Sequence, residues 1–388
     1  MEPPNSHVPW GVVNFSGSKV VLATALVLGL AASSSVSVSG STAHVTSCTN
    51  ASVLATWSTV NLIKETIVVP FDALDTSAAS LAAKAGYGGI ILFGTRGPSN
   101  LKSILARLRH DEPRHSGLLV MTDDEGGGVW RLANLITPLP WARQLSLKTP
   151  AEITAMAKTA GQSMLALGIN MDLAPVADID GTNVYPGPMN ADGLRSFSGQ
   201  SSVVSTDAVA FMKGLTAAHV VAVVKHFPGL GGVRPNTDTG AASTASWSVV
   251  KQRALGPFRA AIQAGAPAIM VSNATIPGLS ALPASLSKAV MSYLRTTLNF
   301  KGLIIDDSLS AGAISDAHYG VVAASVAALG AGADVILYSI PSTETAFQLA
   351  QQITSSVSVA VAHNKVTRAQ LLAAATLVIK AQGANLCV

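Results

Sequence analysis

Five short apolar runs in this chain end in side chains of the kinds that carry chemistry. One ends in Thr122-Asp123-Asp124-Glu125, the next leads through Asp172 to Asp178, and a third ends in Lys225-His226. Two more close on Ser272-Asn273 and on Asp306-Asp307-Ser308. Only 12% of the residues are charged, so carboxylates and cations collected at such positions stand out. A ring of carboxylates with a few cations suits a polar, hydroxyl-rich ligand and stabilises developing positive charge. A lysine at a strand end is expensive to bury unless it pairs or binds something. His226 is the one histidine expected at a strand end, which is too few for convergent metal ligands, and no metal is expected. A nucleophilic carboxylate about 5 Å from a proton donor is the apparatus of a retaining glycosidase, and Asp307 is the expected nucleophile. Structural readings stand beside these. Asp124 and Glu125, next to Gly126-Gly127-Gly128, could form a solvated turn, Asp172 a helix cap or hydrogen-bond acceptor, and Asp306-Asp307 the N-cap of the next helix.

The elements that must position these groups follow from periodicity. Short β-branched runs alternate with helical stretches from about Leu62 onward. Strands are expected over 66–70, 89–93, 117–122, 169–174, 220–224, 268–272, 302–305 and 333–337. Helices are expected over 206–218, 249–264, 287–298 with Ser287 as N-cap, and 368–382. Eight such alternations predict an α/β fold, a single-domain (β/α)8 TIM-type barrel spanning 62–388, whose chemistry belongs at the C-terminal strand ends. No G-x-G-x-x-G motif follows the first strand, and the three glycines follow an acidic cluster that would repel a phosphate.

The net charge of +4 and the lack of any long Lys/Arg run argue against a nucleic-acid partner. Lys19 precedes an apolar stretch, Val20 to Ala32, that is shorter than the roughly 20 residues of a membrane span. Small residues at Ser41 and Ala43 suit a cleavage site, so 1–43 reads as a signal peptide, with an uncleaved anchor as the rival and the only membrane contact expected. A secreted or cell-envelope location follows, and 44–61 reads as an N-terminal extension. The two cysteines, Cys48 and Cys387, are expected to form a disulfide in that oxidising setting.

Taken together, Asp123-Asp124-Glu125-Gly126-Gly127 with Val129 and Arg131, Leu173 to Asp178, Arg195-Ser196-Phe197, Lys225-His226-Phe227-Pro228-Gly229, Pro283 to Ser287 and Asp307-Ser308-Leu309 resemble glycoside hydrolase family 3. The resemblance is to its single-domain bacterial β-N-acetylglucosaminidases and covers nearly all of 62–388. It implies a barrel, Asp307 as the nucleophile, and Asp123, Arg131, Arg195, Lys225 and His226 as sugar-binding groups. It also implies a terminal β-linked N-acetylglucosamine substrate from cell-wall glycans or their fragments, and no cofactor. A monomer is expected.

The chain departs from the family in one loop. The family pattern K-H-F-P-G-H-G, followed by an Asp-Ser-His whose His is the acid/base, here has Leu230 at its first loop His and Asp238-Thr239-Gly240 at the triplet. Three outcomes stay open. Asp238 acts as acid/base; Glu125 or His318 takes over; or the protein is a weak enzyme or a glycan-binding pseudoenzyme. A β-glucosidase of the same family is a further alternative.

Overall fold

The computed structural model describes residues 48–339 and 343–387; the expected signal peptide, 1–43, lies outside them. Seven parallel strands are hydrogen-bonded in sequence order: Val68–Asp72, Gly89–Phe93, Leu119–Thr122, Met171–Asp172, Val221–Phe227, Ala268–Val271 and Leu303–Asp306. The eighth position is held by backbone bridges rather than a full strand. Val335 pairs with Ile305 and Ile336 with Ile67, and the Ile336 N–H donates to Thr66 O at 2.8 Å. These bonds join the seventh strand to the first, and the sheet closes as the expected (β/α)8 barrel.

Alternation along the strands builds two cores. Val68, Ile91, Met121, Met171, Val223, Met270 and Ile305 fill the barrel interior. Val69, Ile90, Val120, Ala222, Ile269 and Ile304 face outward into the layer beneath the helices. The last helix, Arg368–Gln382, packs Val378 and Leu377 against the interior cluster. It runs over the residues expected for it, and Thr367 caps its start by accepting from the Gln370 N–H at 3.1 Å.

Other helices differ from expectation for local reasons. The stretch 249–264 forms two helices, Trp247–Arg253 and Leu255–Gln263. Pro257 has no N–H to give the Arg253 carbonyl, so the ladder breaks between them. Ser287 is an N-cap as expected, but winding changes from α to π at Tyr293. Helices Asn50–Thr56 and Thr59–Glu65 occupy the segment before the first strand, and the second runs across the boundary expected at 62. A Cys48–Cys387 disulfide, Cα–Cα 5.7 Å, joins the two ends of the described chain. Among the described residues, no helix is long and apolar enough to cross a membrane.

Candidate active site

All seven expected site residues, Asp123, Arg131, Arg195, Lys225, His226, Asp238 and Asp307, line one cavity of about 280 Å³ at the C-terminal ends of the strands. The fifth strand supplies its cations through a bulge. Val224 pairs with Ile269, but Phe227 pairs with Val271, so one extra residue is accommodated and the Lys225-His226 pair is turned toward the cavity.

Glu125 sits under the cations and engages both. Arg195 Nε donates to its Oε2 and the second guanidinium nitrogen to its Oε1, each at 2.7 Å, a bidentate fork. Lys225 Nζ lies 2.5 Å from Oε1 and 2.6 Å from Asp123 Oδ1. Burial alone would raise the Glu125 carboxyl, but Arg195 and Lys225 outweigh it and hold it well below the usual range. Burial likewise opposes the charge on Lys225, and Asp123 and Glu125 reverse that. Glu125 is therefore a fixed anion, buried to 5% exposure, and is unsuited to donate a proton. The solvated-turn reading fails for it. It was missing from the expected clamp because no local pattern shows a carboxylate paired to cations far along the chain.

Behind the clamp, Asp172 accepts the Asp124 backbone N–H at 2.9 Å, the structural-acceptor role. Burial, reinforced by the charges of Asp123 and Glu125, pushes Asp124 up to about 8. Burial and then Asp124 raise Asp172 well above the carboxylate range. Both carboxyls are thereby biased toward the protonated form.

Asp178 organises the fifth-strand loop. Its Oδ2 lies 2.6 Å from His226 Nδ1, and its Oδ1 accepts the Leu230 N–H at 2.7 Å. A carboxylate can only accept, so Nδ1 carries the proton and Nε2 is the ring nitrogen free for a ligand. Asp178, Asp192 and His226 offer donor atoms within 4.8 Å of one another, a spacing a metal could use. Hydrogen bonds from His226 and Leu230 already engage both Asp178 oxygens, and Asp178 braces the imidazole.

Asp307 follows the seventh strand. Its own N–H is held by Val271 O at 2.9 Å, and its Oδ1 accepts the Ser308 N–H at 2.7 Å. Burial and then the Asp238 charge raise its carboxyl, while His226 and Lys225 oppose the rise. Asp306 is not an N-cap. Its Oδ1 accepts the Leu337 N–H at 2.6 Å and so ties the barrel closure, and the next helix starts only at Gly312.

Asp238 is exposed and lines the same cavity as Asp307. Its loop is ordered by a small core of Leu230, Val233 and Ala242 packed on Ala274. Leu230, at the family's histidine position, is 2% exposed and supplies packing there. Gly231 lets the loop pass close to its neighbour, since a Cβ would meet Ile179 O at 2.0 Å. Arg131 holds its guanidinium over Phe93, 5.8 Å from the ring centroid, and both line the cavity. His318 is exposed and does not line the cavity.

The sequence profile described as the glycosyl hydrolase family 3 N terminal domain matches residues 59–380. The chain belongs to glycosyl hydrolase family 3. Beta-hexosaminidase LpqI of Mycobacterium tuberculosis is 35% identical over 229 residues, 57% of this chain and 58% of that protein. The aligned segment thus spans less than two thirds of that relative. The solved LpqI structure matches with a TM-score of 0.78 and 30% identity, covering 87% of this chain and 97% of that one. An uncharacterized secreted glycosyl hydrolase of Arthroderma benhamiae is 33% identical over 68% of this chain and 76% of its own. A family 3 beta-N-acetylglucosaminidase from a Paenibacillus species matches with a TM-score of 0.76 and 27% identity, covering 84% of this chain and 62% of that one.

Proposed function

We propose that the protein is a retaining glycoside hydrolase that removes terminal β-linked N-acetylglucosamine, with Asp307 as nucleophile and Asp238 as acid/base. The observation that carries this reading is the convergence of both carboxylates and a paired cation clamp on one cavity. In the first step the Asp307 carboxylate attacks the anomeric carbon while Asp238 protonates the leaving oxygen. In the second, Asp238 deprotonates a water that displaces Asp307. Asp123, Lys225, His226, Arg131 and Arg195 hold the sugar hydroxyls and the amide, and Glu125 fixes Lys225 and Arg195 so that both are set before the sugar arrives. The relatives named beta-hexosaminidase and beta-N-acetylglucosaminidase support this substrate over a β-glucoside. The relative named as secreted supports an extracytoplasmic site of action, and cell-wall glycan is the substrate we assign there.

Leaving-group dependence tests the assignment. Asp307→Ala should abolish turnover of a dinitrophenyl β-N-acetylglucosaminide. Asp238→Ala should slow a disaccharide substrate by roughly 10²- to 10⁴-fold while sparing the first step with dinitrophenolate, and azide should restore turnover of the latter. Sugar binding without turnover of either substrate by the native protein would replace this reading with that of a glycan-binding pseudoenzyme.

A further inference from the structure

The exposed carboxylate of Asp316 has a partner that the reaction itself does not explain. Asp316 ends the short helix Gly312–Asp316, a few residues after Asp307, and its Oδ2 accepts the Ala241 N–H at 2.7 Å. Two further bonds join the same two segments: Gly312 N–H to Asp238 O at 3.0 Å and Ala313 N–H to Thr237 O at 2.9 Å. The approach is close, since a Cβ on Gly312 would lie 2.6 Å from Gly240 N. Elsewhere the Pro188 carbonyl takes the Asn236 N–H at 2.8 Å and the Thr239 hydroxyl at 3.3 Å, and Ala242 O takes the Thr275 N–H at 2.9 Å.

We propose that Asp316 is a positioning residue that latches the loop carrying Asp238 onto the helix following Asp307, and so fixes the distance between the two carboxylates. The inference rests on the reading of Asp238 as acid/base. The Gly312 and Ala313 bonds run between backbones, and the close approach needs only that residue 312 be glycine. The Asp316 bond is the side-chain element of the seam. A retaining mechanism needs the carboxyl groups about 5 Å apart, and Asp238 is exposed on this loop, its own N–H bonded within the turn to Asn236 Oδ1 at 3.0 Å. Without the latch, Asp238 would sample positions too far from the leaving oxygen, and protonation would suffer before binding did.

The test compares Asp316→Ala, Asp316→Asn and Asp238→Ala with the native protein by two readouts. The first is amide hydrogen exchange over residues 237–242. The second is kcat/KM for a disaccharide against a dinitrophenyl β-N-acetylglucosaminide. Asp316→Ala should speed exchange at Gly240 and Ala241 and lower kcat/KM on the disaccharide about tenfold, the worth of one hydrogen bond, with a change of less than about threefold on the dinitrophenyl substrate. Asp316→Asn keeps an acceptor oxygen and should restore both readouts. Unchanged exchange in Asp316→Ala, or equal losses on both substrates, overturns the latch. An Asp238→Ala variant that loses equally on both substrates instead overturns the acid/base reading, and the exchange result stands apart from that outcome.

Discussion

Glu125 holds two cations with one carboxylate, and the pairing explains how a chain so poor in charge keeps Lys225 and Arg195 ionised inside a barrel. An Arg fork and an ammonium share its two oxygens at 2.5 to 2.7 Å. Removing one partner of such a buried group leaves the others uncompensated and costs about 3–5 kcal/mol. Glu125→Ala should therefore lower the stability measured by urea denaturation by that amount and raise KM, because Lys225 and Arg195 lose their fixed positions. A loss of kcat with unchanged KM would mean instead that Glu125 takes part in proton transfer. The gathering of these groups on one cavity was legible in the sequence, since Asp123, Lys225, His226 and Asp307 stand at the ends of apolar runs where a barrel exposes its working face. Glu125 was not, because its meaning depends on Arg195, 70 residues away, and only the closed fold brings the two together. Asp178 stood in a quoted motif, yet its grip on His226 and on the Leu230 N–H depends on the bulge, which apolar periodicity does not show.

At the scale of elements, the helix Thr59–Glu65 is locked to the base of the barrel by its last residue. Glu65 accepts from Arg114 and from Gln382, each at 2.8 Å, in a fully buried position. Burial pushes its carboxyl up to about 7, while Arg114 and Gln382 oppose the rise and Glu112 adds to it. The unfolded chain releases this proton near 4.5, so between those values the folded state binds more proton than the unfolded one. Stability then falls as pH rises through that window, by about 3 kcal/mol in all, and is flat above it. Denaturation midpoints on either side of the window should differ more for the native protein than for Glu65→Gln; equal differences would remove Glu65 as the source. Strand positions were legible wherever the apolar run was long, as over 89–93. The eighth position was legible as a run but forms only bridges: Ile304 O takes both the Asp334 and Val335 N–H, and the Leu337 N–H goes to the Asp306 side chain instead of a ladder carbonyl. The 249–264 stretch read as one helix because apolar periodicity passes through Pro257 without a sign of the missing donor.

At the scale of the whole molecule, the two ends of the described chain meet. The Asn50 side chain donates to Ala384 O at 2.8 Å and accepts the Leu386 N–H at 2.8 Å, and Cys48 is bonded to Cys387 across a sequence separation of 339. Closing a loop of that length restrains the unfolded chain, a contribution of about 2–4 kcal/mol. The paired Cys48→Ser and Cys387→Ser variant should denature at lower urea by that margin under non-reducing conditions and match the native protein once thiol is present. If the two differ equally with and without thiol, the bond is not formed in solution. The same closure gives the chain a ring topology. A protease cut in a surface loop such as the one carrying Asp238 would open the ring without dividing the molecule, and two fragments would separate only after reduction.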